Sequence, residues 1–213
     1  MLDLLKHCAC PSLARGGAAT EAGRRGRRRD HVGAMSAPSI AVAALDPPAL
    51  AENLDRLTEI LHACVHEGAS VGFVMPFGPD DARAYWRSKV ASPHQAGKRI
   101  VLAARLGGTV AGTAQLDLDT MPNQRHRAEA SKVLVDPKFR RAGVARALMF
   151  EIEARAQATD RWLITLDTAG DAAEALYRSL GYRVAGAIPF YARDAFEDRY
   201  DATRLMYKDL RRG

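Results

Sequence analysis

Cysteine is scarce in this sequence: three among 213 residues, at positions 8, 10 and 64. They form neither a zinc-ligand spacing nor a disulfide framework, and a reducing, cytoplasmic compartment is the simplest expectation. Long apolar runs are lacking too. None approaches the roughly 20 residues needed to cross a bilayer, and no apolar stretch long enough for a secretory signal follows Lys6. No membrane partner is therefore expected. There is no Ser-His-Asp arrangement, no reactive-cysteine setting and no internal repeat. Cys64 falls on an apolar helical face, where cysteine behaves as a small hydrophobe.

Charge of one sign is present, but unevenly. The net charge is +6, of which residues 1–34, with seven Lys/Arg against three Asp/Glu, hold +4. The body holds the remaining +2 and has no basic stripe with interleaved aromatics, so no nucleic-acid partner is expected for it. Residues 1–36, with Arg24, Arg25, Arg27, Arg28 and Arg29 nearly contiguous, read as a disordered basic N-terminal extension. Three explanations compete for it: a start upstream of a true initiator at Met35, an organelle-targeting segment, or an arm for nucleic acid or a membrane surface.

Order begins at Ile40. Residues Ile40–Leu45 read as a strand, and Pro47 and Pro48 suit a helix start. Leu50, Leu54, Leu57, Leu61 and Cys64 recur at spacings of four and three, which predicts one amphipathic helix to about His66. A second helix, capped by Asp80 or Asp81, is expected to run to about Val90. Arg99–Arg105 and Thr109–Asp119 around Gly107-Gly108 read as a hairpin whose second strand has one largely polar face. Ala128–Val135 is a strand ended by Asp136-Pro137. Gly143 to about Ala158 is a helix, and Trp162–Asp167, almost continuously apolar, a strand covered on both faces. Asp171–Leu180 is a helix ended at Gly181, and Tyr182–Ala185 and Thr203–Lys208 complete the sheet. Strands and helices alternate only in the second half, which favours a mixed sheet flanked by helices.

The chemistry concentrates at Arg140-Arg141-Ala142-Gly143-Val144-Ala145, after a strand and at a helix start. Backbone amides at a helix N-terminus form a ready anion site. Gly143 permits close backbone approach, and Arg140, Arg141 and Arg146 add positive charge. The competing reading is a basic turn before an ordinary helix. His62 and His66 have metal-binding i, i+4 spacing but no third ligand in view, so a solvated or packed face is preferred and no metal is expected. His94 and His126 read as loop residues. Asp117 and Asp119 share a polar strand face, with solvation as the default.

The R-x-x-G-x-A pattern here resembles the CoA-binding motif of the GCN5-related N-acetyltransferases (GNAT). The later run Ala173-Glu174-Ala175-Leu176-Tyr177-Arg178-Ser179-Leu180-Gly181-Tyr182 resembles that family's second signature. The resemblance spans roughly residues 40–210. EGASVGF (67–73), AQLDL (114–118), RAEASKVLVDP (127–137) and LDTAGDAAEALY (166–177) look further like the tabtoxin-resistance type, associated with a small amino-acid-like toxin. Two positions depart from the family pattern: Gly170 stands where many members carry an Asn that contacts CoA, and Ala145 replaces the commoner Gly.

The resemblance implies a single α/β (α+β) domain over residues 37–211, with a mixed, mainly antiparallel sheet splayed between its fourth and fifth strands. It implies acetyl-CoA as co-substrate. The backbone of Val133, Leu134 and Val135 would bind the pantetheine arm, and the amides of Arg141, Ala142, Gly143, Val144, Ala145 and Arg146 the pyrophosphate. Tyr177 is the acid candidate, against a core aromatic. Glu129 and Asp167 are the base candidates, against a solvated strand end for the first and a helix cap or salt bridge for the second; a buried carboxylate has a raised pKa suited to a base. The expected activity is direct acetyl transfer to the primary amine of a small molecule. Two rivals stay open: acetylation of protein N-termini or lysines, and a non-catalytic CoA-binding module. A homodimer is left open.

Overall fold

The computed structural model describes residues 39–212, so the readings of the N-terminal extension lie outside the described residues. Strand β1 (Ile40–Leu45) is followed by α1 (Pro47–Glu52) and α2 (Leu54–His66). The apolar spacing runs unbroken through both, but the structure breaks the expected single helix at Asn53, whose side chain donates to the Ala49 carbonyl (2.8 Å). Asp46 caps α1 by accepting from the Ala49 amide (2.8 Å), with proline in the first turn.

Helix α3 (Pro79–Tyr85) passes through a π-type turn (Trp86–Val90) into α4 (Ala91–Gln95). The cap is Gly78, not an aspartate; Asp81 sits one turn in and accepts from the Gly78 amide (2.8 Å). The helical path therefore outlasts Val90 and includes His94, whose Nδ1 meets the Arg99 carbonyl at 2.9 Å.

β2 (Arg99–Leu106) and β3 (Thr109–Asp117) form the hairpin, followed by β4 (Arg127–Val135), α5 (Val144–Ala158), β5 (Leu163–Thr168), α6 (Asp171–Ser179), β6 (Arg183–Arg193) and β7 (Tyr200–Asp209). The seven strands form one sheet in the order β1-β2-β3-β4-β5-β7-β6. Every pairing is antiparallel except β4 with β5. Both β6 and β7 are longer than expected. Pro189 lies inside β6, which is tolerated because β6 is an edge strand and Pro189 falls in the register shift between the paired positions Ile188 and Ala192.

One face of the sheet packs Leu102, Leu116, Ile164 and Met206 against Leu148 and Ile152 of α5 and Tyr177 of α6. The other packs Val101, Ala103 and Leu134 against Leu57, Leu61 and Trp86. The polar face expected on β3 is buried against this second layer: Thr113 and Gln115 have no exposure. Thr113 donates to the Leu102 carbonyl (2.7 Å), and Gln115 is met by Tyr85 and Arg99. No β5 residue belongs to this second core, so β5 is not covered on both faces: Ile164 and Leu166 are buried while Asp167 is exposed.

Candidate functional site

The pairing of β4 with β5 stops after three positions, the last being Glu129 opposite Thr165. From Ala130 to Val135 the β5-facing edge of β4 is left unpaired. The divergence coincides with a bulge where β3 and β4 change register and Lys132 adopts φ 49°. A bulge of this kind bends its strand and re-aims side chains.

Beyond β4 the chain turns through Pro137–Phe139 into the glycine loop. Arg141 (φ 65°) and Gly143 (φ 86°) are both left-handed, and α5 begins at Val144 without a side-chain cap. Among the described residues the amides of 141–146 find no backbone acceptor, the arrangement in which successive N–H groups cradle an anion. Gly112 sets the height of this helix end: a Cβ there would lie 2.7 Å from the Leu134 oxygen and 2.8 Å from Val144. Arg146 donates to the Ser179 hydroxyl (2.8 Å), joining the helix start to α6, and Arg140 lies 3.4 Å from Glu67.

Asp136 anchors the end of β4. It is almost fully buried, pairs with Arg56 of α2 and accepts from the Lys138 amide (2.9 Å). Burial alone would raise its pKa, but the Lys138 amide and the Arg56 guanidinium outweigh that and hold it below its ordinary value.

Tyr177 sits on the α6 face of the sheet, 7% exposed, its ring 5.9 Å from that of Tyr182. Burial, with Asp167 adding, pushes its hydroxyl up to about 12, and among the described residues that hydroxyl makes no hydrogen bond. Glu129 and Asp167 lie on the opposite face, as alternation from the Glu129–Thr165 pair requires. Glu129 reaches solvent, but partial burial of its carboxyl raises its pKa; Asp167 and Asp117 add, while Arg127 and Arg99 oppose. Asp167 is neither buried nor a cap, since Gly170 caps α6, and among the described residues it forms no ion pair; it accepts from the Thr203 hydroxyl (3.1 Å). Its expected burial fails because the α1–α4 layer stops short of β5.

The remaining polar candidates are engaged structurally. Asp117 pairs with Arg99 (2.5 Å) and Asp119 with Lys98 (3.2 Å). His66 meets the Phe77 carbonyl at 2.9 Å and stacks beside His62, and His126 stacks on Trp162. Among the described residues no three His, Cys, Asp or Glu side chains are placed to hold a metal. No described helix is long and apolar enough to cross a membrane. Cys64 is buried, its thiol pushed up to about 11. At Gly170 nothing lies within 4 Å of a Cβ, so its lack of a side chain leaves open space.

Sequence reasoning passed over Lys132 and Tyr85. Lys132 Nζ lies 5.8 Å from the Tyr85 ring centre and 3.9 Å from where a Cβ on Gly72 would stand. Gly72 belongs to the α2–α3 loop, which is tied to the β6–β7 loop by the Met75 amide donating to the Ala195 carbonyl (2.8 Å). The segments EGASVGF and RAEASKVLVDP contain both Gly72 and Lys132, but nothing in either announces that they meet.

Comparison with known proteins agrees with this geometry. An N-acetyltransferase encoded in the hisH-hisA intergenic region of Azospirillum brasilense is 31% identical over 117 residues, 54% of this chain and 67% of that one. The N-alpha-acetyltransferase RimI of Mycobacterium tuberculosis is 33% identical over 122 residues, 57% of this chain and 73% of that one. The fold matches yncA of Salmonella typhimurium, solved with acetyl-CoA, at TM-score 0.65 and 20% identity, covering 81% of this chain and 94% of that one. Residues 55–182 match the acetyltransferase (GNAT) family, and the chain belongs to that family as an acyltransferase.

Proposed function

We propose that the protein transfers the acetyl group of acetyl-CoA to the primary amine of a small molecule, directly and within one ternary complex. The observation that carries this reading is the free edge of β4 leading into the uncapped, glycine-opened start of α5. The strand-free, β5-facing edge of β4 along Val133, Leu134 and Val135 receives the pantetheine arm, while Leu134 and Val135 keep their pairing with β3 and the Val135 carbonyl accepts from the Cys64 thiol (3.4 Å). The amides of Arg141 to Arg146 receive the pyrophosphate, with Arg140, Arg141 and Arg146 nearby as cations. Acetyl-CoA brings an activated thioester. The chain must then remove a proton from the acceptor ammonium and stabilise the departing thiolate.

The two faces of the splay divide these tasks. Glu129 and Asp167 are the proton acceptors on the open face, acting directly or through water. Glu129's raised pKa brings it nearer to useful base strength. Tyr177 stands on the α6 side as the donor to sulfur. A phenol held at about 12 stays protonated across the working pH range and so remains a donor.

A small acceptor is favoured by the link between Met75 and Ala195, which ties the α2–α3 loop to the β6–β7 loop beside the open face. The likeness to RimI favours the other reading, acetylation of a protein N-terminus. Assaying CoA release against small amines and against peptides separates the two. Small amines should turn over with the higher kcat/KM; turnover confined to peptides overturns the small-molecule reading.

A further inference from the structure

We propose that Lys132 selects the acceptor by pairing with a carboxylate on it, so that the preferred substrates are amino acids or close analogues. This inference rests on the small-molecule reading above.

Among the described residues, Arg99, Arg127 and Lys132 are the cations that act on the open side of the splay. Arg99 is committed to Asp117 (2.5 Å), Gln115 (3.3 Å) and the Lys89 carbonyl (3.0 Å). Arg127 has no ion pair among the described residues and its Nε is buried without a partner, but its two terminal nitrogens donate to Thr165 (3.3 Å) and Gln124 (3.2 Å). Lys132 is half-buried and, among the described residues, has neither an ion pair nor a hydrogen bond; its ammonium meets only the face of Tyr85. Its ion-pair vacancy is not for lack of acids, since Glu129 and Asp167 are near enough for their charges to act on it.

A cation withdrawn from water without a partner is costly. Burial does lower the Lys132 pKa, with Arg99 adding and Asp167 and Glu129 opposing. The fold nevertheless places it there through a bulge with φ 49°, a conformation uncommon for a side-chain-bearing residue. Gly72 leaves the space beside Nζ open where a side chain would crowd it. Tyr85 is held in turn by Gln115 (3.2 Å), which fixes the wall on which the ammonium rests.

The open face thus offers two carboxylates and one uncommitted ammonium. Its charges complement a zwitterion: Glu129 and Asp167 take the amine end, and Lys132 the carboxylate end. A charge-assisted hydrogen bond of this kind fixes orientation as well as affinity.

The test compares free amino acids with their carboxamides as acceptors, using the full chain, its Lys132→Met variant and its Lys132→Arg variant. The wild type should prefer the acid member of each pair. Lys132→Met should raise KM for the acids by about 10- to 100-fold while leaving kcat and the carboxamides nearly unchanged. Lys132→Arg should restore part of the preference. Equal loss on acids and carboxamides, carried in kcat, would place Lys132 at the thioester instead and overturn the inference. Turnover of both without preference in the wild type overturns it while leaving the small-molecule reading intact; this arm needs no variant to fold. Acetylation of peptides with no small amine turned over overturns both.

Discussion

Tyr177 keeps its hydroxyl in a buried position where the phenol is pushed up to about 12. A free thiol titrates near 8.5, so complete proton transfer from the resting phenol to a thiolate is uphill. The contribution proposed for it is therefore a hydrogen bond that strengthens as charge develops on sulfur. Tyr177→Phe should lower kcat by roughly 10²-fold, within the range for a positioned proton donor, and leave acetyl-CoA affinity unchanged by calorimetry. Unaltered turnover would return Tyr177 to the core. The carboxylates make a separate prediction. A base works only when ionised, so activity must fall as pH drops through its pKa. Because Glu129 is raised, the acid limb of kcat/KM should lie above the ordinary glutamate value of about 4.3 and should disappear in Glu129→Gln. If the limb persists unchanged in that variant, Asp167 or a bound water carries the proton.

Among the elements, the end of β4 and the start of α5 do most to shape the site. Gly112→Ala would set a Cβ 2.7 Å from the Leu134 oxygen. It should cost about 1–3 kcal/mol as overpacking and raise KM for acetyl-CoA by displacing the helix start, measured by chemical denaturation and steady-state kinetics. The Arg56–Asp136 pair ties α2 to the same point. Arg56 is itself partly exposed, so Arg56→Ala, which leaves the buried Asp136 carboxylate without its cation, should cost about 1–3 kcal/mol and lower the denaturation midpoint. The pH dependence follows from the depressed Asp136 pKa. Its stabilisation is present above the unfolded aspartate value of about 3.9 and is lost as pH falls through the lower folded value. Arg56→Ala should therefore flatten the stability curve below pH ~4.

These same elements were the legible part of the sequence. A glycine after basic residues, between a β-rich run and a helical period, placed α5; Gly181 placed the end of α6. The rest was hidden for identifiable reasons. Asn53 breaks the first helix without interrupting its apolar spacing. The second helix is expected to end at about Val90, yet α4 carries the helical path on to Gln95 through Pro93. Pro189 masked the length of β6, because its edge position is a property of strand order. Thr113 and Gln115 read as a wet face and are buried, because Tyr85 and Arg99 satisfy Gln115 from elements distant in sequence. The Lys132 bulge has no local signature at all, since nothing distinguishes its sequence from that of a regular strand.

For the whole molecule, charge and function separate. Removing residues 1–34 takes the net charge from +6 to +2, while every residue assigned to the site lies in the described portion. A chain beginning at Met35 should keep its turnover and its thermal midpoint; a large loss in either would show that the N-terminal residues belong to the catalytic unit. In the proposed reaction an amine and acetyl-CoA meet together in the splay between β4 and β5. The most direct measurement is initial-rate CoA release with both substrates varied, over a panel of amino acids, amine antibiotics and peptides. Turnover of a small amine with intersecting double-reciprocal lines is expected, as a ternary complex requires. Parallel lines would indicate a covalent acyl-enzyme, and tight acetyl-CoA binding with no amine in the panel turned over would contradict the proposed reaction outright.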